Sequence, residues 1–134
     1  MRELKFRGKQ ITWIYGGISI FDGEATIYDY DCVVNSAYEV DIKTVGQFTG
    51  LLDKNGTEIY EGDILQWTSS WKKHDNAKDE GMVYNNVVEY YAGANHCGYR
   101  LRNKSFTKPL TGKNGIYNAK AIVIGNIHEN PELL

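Results

Sequence analysis

Acidic side chains crowd the segment LLDKNGTEIYEGDIL, residues 51–65, which holds Asp53, Glu58, Glu61 and Asp63. Two carboxylates can act as acid and base in glycoside hydrolysis, but they must then face each other at about 5 to 9.5 Å. Neighbouring residues of one hairpin do not form such a cleft by themselves. Part of the segment, DKNGTE, resembles a calcium loop, yet the next strand begins too soon to supply the distant bidentate glutamate that such a loop needs.

The same segment has the pattern of a structural turn. Asn55-Gly56 favours a type I′ hairpin turn, because both residues tolerate a positive φ. We expect the Asp53 side chain to support this turn. We expect the Asp63 side chain to bond backbone amides where a strand begins after Gly62. The sequence therefore predicts that these five residues shape the fold.

Histidine and cysteine give little support for a metal site or a nucleophile. The candidates are Cys32, His74, His96, Cys97 and His128. None of them has C-x-x-C or H-x-x-x-H spacing, and the adjacent His96 and Cys97 would point to opposite faces of a strand. The chain also lacks glycine-rich phosphate-binding motifs and G-x-S-x-G. We expect no catalytic residue, metal ion or cofactor, hence a protein that is not an enzyme, and two free buried thiols.

The stretch YYAGANHCGYRLRNKSFTK, residues 90–108, is the best candidate for a binding surface. Arg100, Arg102 and Lys104 would point to one face of a strand, because side chains alternate with period two. Together with Lys108 they are candidate contacts to a polyanion or a protein partner, since single-strand binders combine cations with stacking aromatic rings. The alternative is a solvated face of the fold, which the sequence pI of about 5.9 favours.

Charge is distributed unevenly along the chain, although the net charge is only −2. Residues 21–63 hold ten acids and two lysines, a balance of −8, whereas residues 90–128 hold six bases and no acid. These opposite charges could compensate within one chain, join subunits of a homo-oligomer, or present a basic face to a polyanion.

The composition is that of a folded domain. The 134 residues are enough to bury a core without disulfides or metal ions. Hydrophobic residues make up 42% and aromatic residues 13%, which excludes a disordered chain. No run of about 18 apolar residues occurs, and the first ten residues lack the apolar segment of a signal peptide. We therefore expect a cytoplasmic protein without a membrane partner.

The local patterns predict mostly strands. ITWIYGGISIF, residues 11–21, is typical of a hairpin with its turn at Gly16-Gly17. NSAYEVDIKTVGQFTG, residues 35–50, is ambiguous, and we interpret it as irregular or as a short helix. Residues 68–80 are predicted to form a polar loop. The later predicted strands are ILQW, MVYNNVVEYY, CGYRLRNKSF and AKAIVIGNI.

Short strands at close spacing, with turn signals between them, favour a small barrel. The predicted fold class is mainly β with some α, on the border of α+β. Residues 1–50 would form an irregular layer of a β-hairpin and a short helix. Residues 51–134 would form an SH3-type β-barrel that ends in a turn opened by Pro131. We expect the two parts to form one compact folding unit.

Several blocks of the sequence resemble the YopX family of phage and prophage proteins. The blocks are MRELKFRGK, TVGQFTGLLDKNGTEIYEGDIL, VVEY and VIGNIHENPELL, which lie in order and cover both ends and the centre of the chain. The resemblance implies a phage-derived cytoplasmic protein whose C-terminal part is an SH3-type barrel. It implies no activity, because the family is one of unknown function, and no site residue can be carried over.

Three functions fit these observations. The first is a non-catalytic binding or adaptor module for a host or phage protein, in which the acidic face suits a basic partner. The alternatives are a nucleic-acid-binding accessory protein of early phage functions, recognisable by steep salt dependence, and a homo-oligomeric structural protein.

Overall fold

The chain forms β-strands over most of the residues that the structure describes. This computed structural model describes residues 4–29, 36–68, 82–94, 97–110 and 117–134. The strands within these ranges are β1 (Phe6–Lys9), β2 (Trp13–Phe21), β3 (Glu24–Asp29), β4 (Ser36–Leu52), β5 (Glu58–Tyr60), β6 (Asp63–Thr68), β7 (Val83–Ala92), β8 (Cys97–Arg102), β9 (Thr107–Pro109) and β10 (Ile122–Asn126).

Helical structure within the described ranges is limited to one short helix and one 3₁₀ turn. The helix α1 spans Tyr117–Lys120, and the 3₁₀ turn spans Pro131–Leu133. The mainly β fold class is therefore confirmed, and the assignment to the border of α+β holds only in part. The predicted polar loop of residues 68–80 falls, except for its first residue, outside the described ranges, as do Cys32, His74 and His96.

The first sheet contains β1 to β5, all paired antiparallel, in the order β1-β2-β3-β4-β5. Strand β1 also pairs with β4, so the pairings of β1 to β4 form a ring. The long strands β2 and β4 each pair with different neighbours along their length. For example, β2 pairs with β1 through residues 13–16 and with β3 through residues 17–21.

The predicted hairpin turn at Gly16-Gly17 is wrong, because β2 passes through both glycines without a break. A Cβ atom at Gly16 would overlap the carbonyl oxygen of Tyr28 on β3. The glycine therefore allows two strands to approach each other. The hairpin turn lies instead at Asp22-Gly23, where both φ angles are positive, 51° and 76°. Two positive φ angles in a two-residue loop are the geometry of a type I′ turn.

The expected irregular segment or short helix at residues 35–50 is also wrong, because β4 runs from Ser36 to Leu52 as a single strand. It pairs with β3, β1 and β5 in turn along its length. Pairing with three neighbours fixes an extended backbone that a local sequence pattern does not predict. Strand β4 also continues through the predicted boundary between residues 50 and 51.

The second sheet is antiparallel, with the order β10-β6-β7-β8-β9. Strand β6, which lies between β10 and β7, is the most deeply buried, since Ile64 and Leu65 are fully buried and Trp67 nearly so. The main core packs on this sheet and consists of Ile59, Leu65, Trp67, Val88, Leu101, Leu110 and Ala121. A smaller core inside the first sheet consists of Ala25, Ile27 and Val40.

The turn between β4 and β5 is held by the side chain of Asp53. Its Oδ1 accepts the backbone N–H groups of Asn55 and Thr57, both at 2.8 Å. Gly56 has a φ of 83°, but Asn55 has no positive φ, so the predicted type I′ turn is wrong here. The other oxygen, Oδ2, accepts the N–H of Val123 on β10 at 2.9 Å. Asp53 therefore connects a hairpin of the first sheet to a strand of the second.

The bend between β5 and β6 also connects the two sheets. The N–H of Gly62 donates to the carbonyl of Val88 on β7, and its own carbonyl accepts the N–H of Ile127, each at 2.8 Å. Gly62 has a φ of 88°, which favours glycine at this position. The carboxylate of Asp63 accepts the N–H of Tyr60 at 2.8 Å and so closes the bend.

Replacing Gly56 with valine should destabilise the protein by about 1–3 kcal/mol, because a β-branched residue is strained at positive φ. A Cβ atom at Gly56 would meet nothing within 4 Å, so the loss would come from the backbone alone. Thermal unfolding of Gly56→Val and of the control Lys54→Val, in the same exposed turn, measures this. Equal melting temperatures would contradict the strained-backbone explanation.

Candidate functional site

Strand β1 and the residue before it contribute three bases that hold the strand against the rest of the chain. Lys5, Arg7 and Lys9 lie at alternate positions and so point to the same side. Each forms an ion pair with an acid far away in sequence, in the pairs Lys5–Glu58 at 2.9 Å, Arg7–Asp63 at 2.7 Å and Lys9–Glu129 at 2.6 Å. We call these three pairs the junction pairs, since they lie where the two sheets meet.

The central junction pair is buried. The side chain of Arg7 is 7% exposed and that of Asp63 is 2% exposed. The guanidinium carbon of Arg7 lies 4.6 Å from the ring centroid of Trp13 and 4.9 Å from that of Tyr60. Burial raises the pKa of Asp63 above its ordinary value, although the charge of Arg7 acts in the opposite direction. The aromatic rings thus enclose the arginine while the carboxylate balances its charge.

A cleft of about 380 Å³ opens beside the junction pairs. Its walls include the rings of Trp13, Tyr15 and Tyr60. The acids that line it, Glu58, Asp63 and Glu129, each belong to a junction pair. Because every one of these carboxylates is bound to a base, the cleft is a structural seam between the sheets.

The predicted basic stripe is divided by an acid from the neighbouring strand. The Nε atoms of Arg100 and Arg102 donate to the two oxygens of Glu89, at 2.6 and 2.7 Å. Burial raises the pKa of Glu89, but hydrogen bonds from both arginines outweigh it, so the pKa lies below its ordinary value. Arg100 also stacks on Tyr91, 4.2 Å from the ring centroid. Both arginines are therefore engaged within the protein.

The other two predicted bases do not extend the stripe. Strand β8 ends at Arg102, so Lys104 lies in the following bend, where it is exposed. Lys108 is opposite Leu101 in the β8–β9 pairing and lies over the rings of Trp67 and Phe106, at 5.2 and 5.3 Å. The expected continuous basic face does not form. A pocket of about 450 Å³ nevertheless adjoins Tyr91, Tyr99, Arg100, Thr107 and Lys108.

A group of exposed apolar side chains lies at one end of the first sheet. Ile20, Ala25 and Val40 are in register across β2, β3 and β4. Phe21 follows one residue beyond this row, and Ile42 two residues beyond it. We call Ile20, Phe21 and Ile42, which are 57%, 82% and 40% exposed, the apolar tip. Because side chains alternate along a strand, Ile20 and Ile42 share the face of Val40, whereas Phe21 points to the opposite face.

The apolar tip was not predicted from the sequence. Ile20 and Phe21 look like ordinary strand formers in ITWIYGGISIF, where we placed a different hairpin. The signal that could have found it is the dipeptide Asp22-Gly23, which puts Phe21 beside a tight turn instead of inside a strand.

The described part of the chain contains no group of three or more histidine, cysteine, aspartate or glutamate residues arranged to hold a metal ion. Cys97 is a free, exposed thiol at the start of β8, against our expectation that it is buried. His128 lies near Trp13, with ring centroids 6.1 Å apart. No helix in the described ranges is long and apolar enough to cross a membrane.

Comparisons with known proteins identify a family and a similar solved structure. The family model described as YopX protein matches residues 13–134. Among solved structures, protein EF1440 from Enterococcus faecalis is similar, with a TM-score of 0.55 and 24% identity over 100% of this chain and 99% of that one. At this identity the likeness concerns the fold alone. A search of curated proteins gives no match.

Replacing Arg7 with methionine should lower the free energy of unfolding by about 3–5 kcal/mol at neutral pH, because Asp63 would stay buried without its counter-ion. The pKa of Asp63 would rise further above its unfolded value, so the folded variant would bind a proton more readily. The loss should therefore grow as pH rises and shrink as pH falls.

Urea unfolding at about pH 4.5 and about pH 7.5 measures both effects. The matched control is Lys9→Met, which removes an exposed junction pair and should cost far less. A loss of equal size at both pH values would contradict the assigned role of Asp63.

Proposed function

The chain belongs to the YopX family, and on that premise we propose that it is a non-catalytic protein-binding module, an adaptor that docks on another protein. The observation that carries the proposal is the apolar tip. Proteins seldom leave several large apolar side chains exposed together unless the surface binds something. Phe21, 82% exposed, would be the central contact, since aromatic side chains are enriched in interfaces.

Energy favours covering this surface. Burying a side chain such as phenylalanine or isoleucine contributes about 1.5–3 kcal/mol when it leaves water completely. Phe21 is 82% exposed and Ile20 is 57% exposed, so a partner can gain most of that amount from Phe21 and part of it from Ile20. Association itself costs free energy, and a few well-placed apolar anchors are how interfaces typically offset it.

The fold is compatible with this function. The order of the second sheet, β10-β6-β7-β8-β9, has a meander of four strands and a last strand that returns beside the first, with the helical turn α1 before it. This order supports an SH3-type arrangement, a scaffold that accommodates many functions. An origin in a phage or prophage and action in the bacterial cytoplasm belong to the same proposal.

Nucleic-acid binding is the second candidate function. The observation in its favour is the 450 Å³ pocket, where Arg100 and Lys108 lie near the rings of Tyr91 and Tyr99. Aromatic rings beside cations suit stacked bases and phosphates. It ranks second because Glu89 already binds two hydrogen-bond donors of the basic stretch.

A photo-crosslinking amino acid at position 21 should capture a partner protein in bacterial cells that express the chain. We choose this position because Phe21 is more exposed than Ile20, the residue before it in β2. The matched control carries the crosslinker at Val83, another exposed apolar residue of a strand, at 59%. Mass spectrometry of the crosslinked bands identifies what each position touches.

A protein captured from position 21 and absent from position 83 would support the adaptor function. A crosslink from position 21 to a second copy of the chain would support the homo-oligomeric alternative instead. Identical products from both positions would remove the apolar tip as a docking surface.

Binding of labelled single-stranded DNA, duplex DNA and RNA separates the second candidate from the first. If the pocket binds phosphates, fluorescence anisotropy should show affinity that falls steeply with salt, because phosphate contacts release counterions. Lys108→Gln should then weaken binding, whereas the control Lys120→Gln, an exposed lysine on α1, should not. Absence of binding at low salt would contradict the nucleic-acid function.

A further inference from the structure

We infer that the apolar tip binds a basic segment of its partner, one that presents lysine or arginine side chains around apolar residues. The inference rests on the proposed function, and it adds the chemistry of the partner. It is drawn from four acids that surround the apolar tip: Asp22, Glu24, Glu39 and Asp41.

The four acids lie close to the apolar residues along the strands. Glu24 is directly opposite Phe21 in the β2–β3 pairing, and Asp22 occupies the type I′ turn between them. Asp41 immediately precedes Ile42 on β4. Glu39 is opposite Thr26, one strand further across the same end of the sheet. All four are exposed. Because side chains alternate along a strand, Glu24, Glu39 and Asp41 share the face of Phe21, and Asp22 adjoins it in the turn. The apolar tip therefore has a rim of negative charge around Phe21, to which the exposed Lys43, next to Ile42, adds one positive charge.

These acids differ from those of the seam and the second sheet. There, Glu58, Asp63, Glu89 and Glu129 each form an ion pair with a lysine or arginine of the same chain. Asp22, Glu24, Glu39 and Asp41 form no ion pair with any residue in the described ranges. Asp41 accepts a backbone N–H from Lys43, and its charge also acts on His128. The negative charge at the apolar tip is thus available to an external cation.

An apolar centre with a charged rim is the usual arrangement of a protein interface. The centre supplies affinity through burial, while the rim selects partners of opposite charge and speeds their encounter. Like charges on a partner would be repelled, so an acidic segment with the same apolar residues should be rejected. The rim therefore specifies the sign of the partner's charge.

A second copy of this chain is a poor source of the basic segment. The bases of the junction and of β8 are bound to acids of their own chain, in the pairs of Arg7, Lys9, Arg100 and Arg102. The exposed lysines Lys43, Lys54, Lys104 and Lys120 lie in separate elements: strand β4, the β4–β5 turn, the bend after β8 and the helix α1. No continuous basic surface of the described residues matches the acidic rim, which favours a different protein.

Two labelled peptides of alternating leucine with lysine, or leucine with glutamate, test the inference on the full chain. The lysine peptide should bind, with an affinity that falls as salt is added, and the glutamate peptide should not. Glu24→Gln should weaken binding of the lysine peptide about two- to fivefold, the range expected for one exposed charge pair. The control Glu132→Gln removes the same charge from an exposed residue of the 3₁₀ turn and should have no effect.

The variant Phe21→Ser distinguishes failure of the docking surface from failure of the inference about the partner's charge. If Phe21→Ser abolishes binding while Glu24→Gln changes nothing, or if the glutamate peptide binds equally well, the docking surface stands and the inference about charge is wrong. If Phe21→Ser leaves binding unchanged, the apolar tip is not the docking surface and the proposed function loses its support. Binding of neither peptide would also overturn the inference, as would salt-sensitive self-association of the chain in sedimentation.

Discussion

The burial of Arg7 against Asp63 is the interaction on which the rest of the structure depends. Two charges removed from water need each other, because either one alone would be strongly unfavourable in that position. The guanidinium also contacts the rings of Trp13 and Tyr60, which belong to β2 and β5, at 4.6 and 4.9 Å from the ring centroids. One ion pair thereby fixes where β1, β2, β5 and β6 meet, and its geometry determines how the two sheets are joined.

The sequence predicted the kinds of local structure better than their positions. A type I′ turn was expected at Asn55-Gly56 and is found at Asp22-Gly23, although both dipeptides carry the same local signal. What separates them is Asp53, whose side chain reaches β10 and holds its turn in another geometry. That contact joins residues distant in sequence, so no local pattern records it. The extended backbone of β4 depends on such contacts in the same way.

The candidate site was harder to predict, for two physical reasons. Period-two alternation correctly placed Arg100 and Arg102 on one face, but it could not show that Glu89 faces them from the neighbouring strand. Exposure is also a property of the assembled sheet. From the sequence alone an apolar residue such as Phe21 is expected in the core, because the position at which its strand ends is not known. The sequence did predict that the side chains of Asp53 and Asp63 accept backbone N–H groups, because turns depend on local chemistry.

The junction pairs also determine when the first strand can be completed during synthesis. Lys9 and Glu129 are separated by 120 positions, and Lys5 and Glu58 by 53. Strand β1 can pair with β2 as soon as both have left the ribosome, but its bases then have no acids to meet. Contacts between residues so far apart in sequence carry a high loop-closure cost and form late. Strand β1 is therefore translated long before its ionic partners, and the seam between the sheets is completed only after residue 129 has been translated.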